Sequence, residues 1–164
     1  MLKIVTYPDP FLRQTAAPVV TFDDQFHELL EQMQETMYTD DGVGLAAPQI
    51  GVSRRIVVLD DGNGPINIIN PVIKASGDKE EVVEEGCLSL PGIRVPVKRP
   101  IEVIVEAVNE AGEPVHYDAD GLLARIFQHE IDHLNGILII DHLSTIQRSL
   151  IKSKLKQLEK NTLS

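Results

Sequence analysis

The segment Gln128-His129-Glu130-Ile131-Asp132-His133 decides how the rest of the chain is interpreted, because it places H-E-x-x-H inside a run of helical periodicity over about residues 120–134. Residues four positions apart lie on one helical face, so His129 and His133 can each turn a ring nitrogen toward a single cation. Glu130 can reach a water bound to that cation and serve as a general base. The segment therefore predicts a metal site on a helix; the alternative is two histidines and a glutamate on a solvated helix.

A catalytic metal centre of this type needs a third protein ligand and one open position. A metzincin would have a third histidine where this chain has Ile139, which cannot bind a metal. A thermolysin-like peptidase would use a downstream glutamate, and Glu159 is the only one after Glu130. His142 is a further candidate. Cys87 lies upstream in a glycine-bearing segment next to predicted strands, and it would complete a Cys/His/His set.

The periodicity around the central helix predicts an α+β fold, in which small antiparallel or mixed β-sheets pack around the metal-binding helix. Because the strands follow one another without intervening helices, antiparallel pairing is favoured. The predicted strands cover residues 56–59, 66–69, 81–84, 93–97, 101–105 and 115–117. The second of them is expected to end before Pro71.

Two further helices are predicted, one near each end of the chain. The N-terminal helix begins with the capping candidate Thr21, which has an acid three positions on, and ends near Tyr38. The central helix is expected to stop at Gly136. The C-terminal helix is expected to run as one helix over about residues 144–160. Its predicted apolar face consists of Ile146, Leu150, Leu155 and Leu158.

The composition is typical of one soluble domain. The 164 residues are 43% hydrophobic with a net charge of −10, which predicts a single domain over residues 1–164 whose core needs no disulfide. Cys87 is the only cysteine, and neither a signal peptide nor an apolar run of roughly 18 residues is evident. These features predict a cytoplasmic location and no membrane association. The acidic charge argues against DNA as a partner.

Two more motifs accompany the histidine segment. The first is Gly42-Val43-Gly44-Leu45-Ala46-Ala47-Pro48-Gln49, and the second is Glu85-Gly86-Cys87-Leu88-Ser89. In this order, and with an opening of Pro8-Asp9-Pro10 followed by Leu12-Arg13, the chain resembles the bacterial-type peptide deformylases. The resemblance covers roughly residues 8–143.

The resemblance implies a metal-dependent enzyme that removes the formyl group from the N-formyl-methionyl end of nascent polypeptides and releases formate. Cys87, His129 and His133 would bind one divalent metal ion. In most bacterial members of the family this ion is Fe²⁺, and Zn²⁺, Ni²⁺ or Co²⁺ can substitute for it.

Roles in catalysis and substrate binding are implied in the same way. Glu130 would carry a proton from the attacking water to the departing amine, while the side chain of Gln49 and the backbone N–H of Leu88 would hold the oxyanion. The residues implied to bind substrate are Val43, Gly44, Gly86, Leu122 and Ile126, with Leu88 beside them. For the apolar members of this set, the alternative is ordinary core packing.

Glu85 in the second motif is expected to pair with a base behind the site. Arg94, Arg99 and Arg125 are candidates, and the sequence does not choose among them. Gln128 is expected to have a similar structural role through its amide.

Other functional hypotheses accompany the deformylase. The first is an H-E-x-x-H metallopeptidase that cleaves internal peptide bonds, for which a suitable downstream ligand is missing. The second is a non-catalytic ribosome-binding or structural module. Such a module would have no chemical reason to retain all of Cys87, His129, Glu130, His133 and Gln49. A dinucleotide-binding fingerprint at residues 42–47 is set aside, because a helix precedes it and Pro48 follows it.

The C-terminal segment is basic, whereas the rest of the chain is acidic. Arg148, Lys152, Lys156 and Lys160 recur at intervals of four and form a basic stripe. Such a stripe is ordinarily a solvated face. The functional hypothesis is that it docks on ribosomal RNA, since the implied substrate is a nascent chain.

Overall fold

The computed structural model describes residues 2–163 and the side chains up to residue 161. The α+β fold predicted from the sequence is confirmed. The helices are α1 (Asp24–Thr39), α2 (Gly121–Leu134), α3 (Thr145–Leu150) and α4 (Lys152–Leu163). The strands are β1 (Gly44–Ala46), β2 (Ile56–Asp60), β3 (Pro65–Ser76), β4 (Glu80–Gly86), β5 (Arg94–Pro100), β6 (Glu102–Val108) and β7 (Pro114–Asp120).

The strands form a five-stranded sheet of order β1-β2-β3-β6-β7 and a separate hairpin of β4 and β5. Each of these neighbouring strand pairs is antiparallel. The short strand β1 had no counterpart among the predictions, because three residues are too few to show a period of two. It lies at one edge of the larger sheet, beside the candidate site.

Helix α2 lies at the centre of the molecule, between the two sheets. Its apolar face, which includes Ala124, Phe127 and Ile131, packs against the five-stranded sheet. The helix ends in a Schellman motif, in which Ile137 N–H donates to the carbonyl of Asp132 at 2.9 Å. The predicted stop at Gly136 is confirmed: Gly136 has a φ of 73°, a left-handed conformation that favours glycine.

Helix α1 is confirmed, but its predicted cap is wrong. The helix begins at Asp24, and the capping residue is Asp23 rather than Thr21. The carboxylate of Asp23 accepts a hydrogen bond of 2.9 Å from the backbone N–H of Phe26. This bond satisfies one of the free N–H groups of the first turn, and Phe26 itself is completely buried.

Strand β3 continues to Ser76, well past the end predicted at Pro71. Asn70 has a φ of 54°, and the register with β6 shifts between Ile69 and Val72. A bulge of this kind accommodates a proline, which has no N–H to contribute to the ladder. The Asn70 side chain stabilises the bulge by bonding the backbone N–H and carbonyl of Val19 at 2.8 and 3.0 Å.

The prediction of one continuous C-terminal helix is wrong, because the chain breaks at Ile151 into α3 and α4. The predicted apolar face is also only half right. Ile146 and Leu150 are 76% and 77% exposed, whereas Leu155 is buried with Ile151 and Leu158 beside it. These last three residues recur at i, i+4 and i+7, so one helical face can contact the core. Among residues 2–163, no helix is both long and apolar enough to cross a membrane.

Candidate metal centre

Three side chains with metal-ligating atoms converge at the centre of the molecule. His129 and His133 lie one turn apart on α2, and Cys87 directly follows β4. The ligand atoms of the three residues all lie within 4.8 Å of one another, and Cys87 Sγ is 3.3 Å from His133 Nε2. Among the residues that the structure describes, this is the one group of three or more such side chains close enough to share an ion.

The donor set fits a transition-metal ion. A tetrahedral ion with metal–sulfur and metal–nitrogen bonds of about 2.3 and 2.1 Å requires those two donor atoms to be about 3.6 Å apart. The observed 3.3 Å between Cys87 Sγ and His133 Nε2 is close to that separation. One thiolate and two imidazoles suit iron, zinc, cobalt or nickel, whereas magnesium and calcium prefer oxygen ligands.

The other candidate ligands lie elsewhere. His142 Nε2 is 2.8 Å from a carboxylate oxygen of Asp132, and Glu159 accepts a hydrogen bond of 3.0 Å from the hydroxyl of Tyr7. Neither belongs to the cluster around His133. A downstream third ligand, as the metallopeptidase hypothesis requires, is therefore not provided by these residues.

Burial acts on the two histidines alike, and their neighbours make their pKa values differ. Burial lowers the pKa of His133 well below the ordinary value, because the charged ring loses its water, and the neighbouring His129 lowers it further. A neutral imidazole is the form that binds a metal. Burial alone would also lower the pKa of His129, but Glu130, Cys87 and Glu85 outweigh it, so that pKa is raised.

Glu130 is a buried carboxyl group beside the cluster. Its Oε2 lies 3.9 Å from His129 Nε2, and its Oε1 is buried with no hydrogen-bond partner among the described residues. Removal from water raises the pKa of Glu130 to about 7; His129 opposes this increase and Glu85 adds to it. A carboxyl group with this pKa can accept and return a proton at neutral pH.

Strand β1 passes so close to Glu130 that only glycine fits there. A Cβ atom on Gly44 would lie 2.6 Å from Glu130 Oε2 and 2.9 Å from its Cγ. The absence of a side chain at Gly44 therefore leaves room for the Glu130 carboxyl group.

The amide of Gln49 is held at the edge of the cluster by hydrogen bonds at both of its ends. Its Oε1 accepts from the backbone N–H of Ala46 at 2.9 Å, which fixes the orientation of the amide. Its Nε2 donates to Ser89 Oγ at 3.2 Å and lies 3.6 Å from Cys87 Sγ. Ser89, a completely buried member of the second motif, was not singled out from the sequence, where a serine carries no signal of its own.

Glu85 lies directly behind His129 and is bound by two of the three candidate arginines. Its carboxylate accepts from Arg99 at 2.7 and 3.0 Å and from Arg125 at 2.6 Å, and it lies 2.9 Å from His129 Nδ1. Burial alone would raise the pKa of Glu85, but the hydrogen bonds of His129 and Arg99 outweigh it and hold that pKa well below the ordinary value. Arg94 instead lies at the surface, 3.9 Å from Glu84.

Gln128 has a structural role within and beside α2. Its amide N–H groups donate to the carbonyls of Pro100 and Ala124, both at 3.0 Å. The bond to Pro100 ties the helix to the end of β5, the bond to Ala124 lies within the helix, and neither reaches the metal cluster.

A cleft of about 700 Å³ opens from the cluster to the surface. Leu122 and Val43 are about half exposed, whereas Ile126 is buried. The residues predicted to bind substrate all line it, namely Val43, Gly44, Gly86, Leu88, Leu122 and Ile126. Gln49, Cys87, His129 and Glu130 line the same cleft. A metal-ligating cluster, a buried proton-transferring carboxyl group and an apolar cleft together are the features of a metal-dependent hydrolase.

Comparison with known proteins identifies the kind of hydrolase. The family model of polypeptide deformylase matches residues 1–149. The peptide deformylase of Thermotoga maritima is 50% identical over 155 residues, which are 94% of each chain. A crystal structure of a peptide deformylase from Legionella pneumophila has a TM-score of 0.91 at 44% identity, covering 99% of this chain and 98% of that one. The enzyme of Synechococcus elongatus in complex with actinonin has a TM-score of 0.89 at 41% identity, covering 93% of this chain and 85% of that one.

The chain therefore belongs to the peptide deformylase family, as the resemblance of its motifs predicted. The alternative of an H-E-x-x-H metallopeptidase is not supported, either by these relatives or by the cluster of Cys87, His129 and His133.

Proposed function

We propose that this chain, acting as one catalytic domain over residues 1–164, hydrolyses the formyl group from the N-terminal formyl-methionine of nascent polypeptides and releases formate. The observation that supports this most directly is the convergence of Cys87, His129 and His133 within 4.8 Å, beside the buried carboxyl group of Glu130. The likeness to peptide deformylases over nearly the whole chain supports the same reaction.

Cys87, as a thiolate, and the neutral rings of His129 and His133 would hold one divalent metal ion. When bound, such an ion polarises a carbonyl oxygen and lowers the pKa of a coordinated water toward neutrality. We propose Fe²⁺ as the ion used in the cell, with Zn²⁺, Ni²⁺ or Co²⁺ as substitutes. Because affinity alone favours zinc over ferrous iron, occupancy by iron requires a supply of iron in the cytoplasm, the proposed location.

Glu130 is the proposed general base and acid. Its carboxylate takes a proton from the attacking water and later delivers that proton to the departing amine. The raised pKa of about 7 supports both roles, because the same group must be able to bind and release a proton near neutral pH.

Gln49 and the backbone N–H of Leu88 are the proposed oxyanion donors. Attack on the formyl carbon places negative charge on its oxygen, and donors already oriented toward that oxygen stabilise the charge. The fixed orientation of the Gln49 amide supports this role, since Ala46 holds its oxygen and leaves its nitrogen facing the cluster. Each donor is expected to contribute about 3 kcal/mol to transition-state stabilisation.

The apolar cleft is the proposed binding site for the methionine side chain, with Val43, Leu122 and Ile126 in its wall. Gly44 and Gly86 supply backbone along the same cleft. We propose that an extended peptide lies beside them and forms strand-like hydrogen bonds with Gly44.

The experiment that tests the proposed reaction is formate release from formyl-Met-Ala-Ser, using protein purified without oxygen and with its bound metals quantified. Formate release in proportion to bound metal is expected. Full metal occupancy without formate, together with cleavage of internal peptide bonds, would overturn the proposal. Cys87→Ala should lose most of the metal, and unchanged occupancy would exclude Cys87 as a ligand.

The basic C-terminal segment is the proposed contact to the ribosome. Residues 144–164 contain five of the 15 lysines and arginines but only one of the 25 acidic residues. Lys152, Lys156 and Lys160 are exposed, whereas Arg148 lies 3.7 Å from Asp141. An accessible cationic stripe on an otherwise acidic enzyme supports docking on ribosomal RNA.

Charge reversal tests this contact better than deletion, because deleting the segment would also remove buried Leu155. The double variant K152E/K156E should weaken cosedimentation with ribosomes and reduce its dependence on salt. The matched control K79E/K98E reverses two exposed lysines elsewhere and should bind normally. Equal binding of the two double variants would overturn ribosome docking through this segment.

A further inference from the structure

A chain of hydrogen-bonded side chains leads from the metal ligands to the surface. Behind His129, the carboxylate of Glu85 is bound to Arg99. The NH1 group of Arg99 donates to Asp132 Oδ2 at 2.9 Å, and the same oxygen lies 2.8 Å from His142 Nε2. The Arg99 side chain is only 4% exposed, whereas those of Asp132 and His142 are 21% and 30% exposed, so the chain reaches solvent at His142.

The backbone that carries His142 is firmly anchored. His142 ends the 3₁₀ turn Ile139–His142, whose two isoleucines are buried in one core with Val95 and Val97. Those valines lie on β5, the strand that also carries Arg99. Because turn and strand share a close-packed core, the position of His142 relative to Arg99 is fixed by packing.

We propose that His142 is a positioning residue for the proposed metal centre, on which this inference rests. It holds the Asp132 carboxylate against the NH1 group of Arg99. The planar guanidinium then presents its Nε and NH2 groups to Glu85. Glu85 in turn fixes the ring of His129, so that Nε2 faces the ion. The orientation of a ligating histidine commonly depends on such outer partners.

A second histidine–carboxylate pair provides a matched control. His116 Nε2 lies 3.2 Å from Asp118 Oδ1 on β7, where the two side chains are 54% and 75% exposed. Its other carboxylate neighbour is Glu106, at 3.9 Å. None of these residues lines the cleft or belongs to the metal cluster, so loss of His116 should leave the centre unchanged.

The test compares His142→Phe, which removes the N–H donor, with His142→Gln, which retains one. The first readout is the Co²⁺ dissociation constant by chelator competition, and the second is the visible spectrum of the Co²⁺-loaded protein. We expect His142→Phe to weaken metal binding about tenfold and to alter the spectrum. Loss of a residue that orients a metal ligand typically weakens metal binding about 10- to 100-fold, and His142 acts through two further residues. His142→Gln should largely restore both the affinity and the spectrum. KM for formyl-Met-Ala-Ser should not change, because His142 does not line the cleft.

Three outcomes would overturn the inference. The first is metal affinity in His142→Phe equal to that in His116→Phe. The second is an equal loss of metal affinity in His142→Phe and His142→Gln, since the hydrogen bond to Asp132 would then have no effect. The third is a further loss of metal affinity when His142→Phe is added to Asp132→Ala, which has no side-chain acceptor, because the effect would then not pass through Asp132. If the unsubstituted protein itself binds no metal, the proposed metal centre is wrong. If that protein binds metal and one of the three outcomes is found, only the positioning role of His142 is wrong.

Discussion

At the scale of single residues, burial gives Glu130 the raised pKa that suits proton transfer at neutral pH. The substitution Glu130→Gln keeps the shape of the side chain but cannot transfer a proton. We expect kcat to fall about 100- to 10,000-fold while the metal content stays the same. Formate release and metal analysis on the same sample measure both. A loss of turnover smaller than about tenfold would show that another group moves the proton.

Gly44 offers a second test at this scale. In Gly44→Ala, the new methyl group would overlap the Glu130 carboxyl group and displace it, so we expect at least a tenfold loss of kcat, on the order of 1.4 kcal/mol. The control is Gly77→Ala, whose Cβ would be 3.4 Å from Glu102 in ordinary contact. Unchanged kcat in Gly44→Ala, with the fold intact, would mean that the exact placement of Glu130 is unimportant.

The roles of single site residues could be predicted where a sequence motif specifies the chemistry. They could not be predicted where one ion-pair partner had to be chosen among several. The spacing of His129 and His133 follows from helical geometry alone. The choice of Arg99 and Arg125 over Arg94 as partners of Glu85 depends on which side of the β4–β5 hairpin and of α2 each one occupies. The alternation of burial along β5 separates Arg99 from Arg94, but no local pattern encodes that Arg99 and Arg125 meet at Glu85.

At the scale of elements, the C-terminal end of α2 depends on Gly136. The substitution Gly136→Ala would strain a φ of 73° and press a methyl group against the backbone carbonyl of Arg13. We expect a loss of about 2–4 kcal/mol in the free energy of unfolding, measured with urea. The control is Gly62→Ala. Gly62 has a φ of 107° and open space where a Cβ would lie, so this substitution measures backbone strain alone and should lower the free energy of unfolding by about 1 kcal/mol. Equal losses would show that contact with Arg13 is harmless.

The 3₁₀ turn after α2 is held by Asp141, which accepts hydrogen bonds from Arg13 and from the backbone N–H of Leu138. Burial alone would raise the pKa of Asp141, but these bonds outweigh it, so the folded-state pKa lies below the unfolded value. The stabilisation is therefore complete above the unfolded pKa and is lost as the pH falls through the folded one.

The variant Asp141→Asn tests this pH dependence. Because the pair of Asp141 with Arg13 is partly exposed, the variant's free energy of unfolding should be up to about 1 kcal/mol lower than that of the unsubstituted protein at pH 7. The difference should shrink as the pH falls from about 4, where the unfolded chain begins to take up a proton at Asp141, and should vanish below the lower folded pKa, where the folded protein is protonated as well. Urea unfolding of both proteins across this range measures it. A difference that is independent of pH would show that the charge of Asp141 does not matter.

The elements themselves were largely predictable, and their ends were not. The cores of α1 and α2 and of six strands follow from periodicity. The continuation of β3 through Pro71 and the break at Ile151 do not, because a bulge and a helix break are determined by long-range packing rather than by neighbouring residues.

At the scale of the whole molecule, a bound metal should join α2 to the loop after β4. Addition of Co²⁺ to metal-free protein at about 1,000 times its dissociation constant should stabilise the fold by about 4 kcal/mol and raise Tm. Cys87→Ala should show a much smaller increase, because one of the two elements would no longer hold the ion. An equal increase in both proteins would show that the ion binds without Cys87.

The sequence by itself determined the α+β class, the H-E-x-x-H helix and the family, since helical spacing and short motifs are properties of neighbouring residues. Only the tertiary structure decided that Cys87, 42 positions before His129, meets the two histidines, and that His142 binds Asp132 rather than joining them. These contacts cross the chain between separate elements. They are determined by how α2, the β4–β5 hairpin and the five-stranded sheet bury their apolar faces against one another.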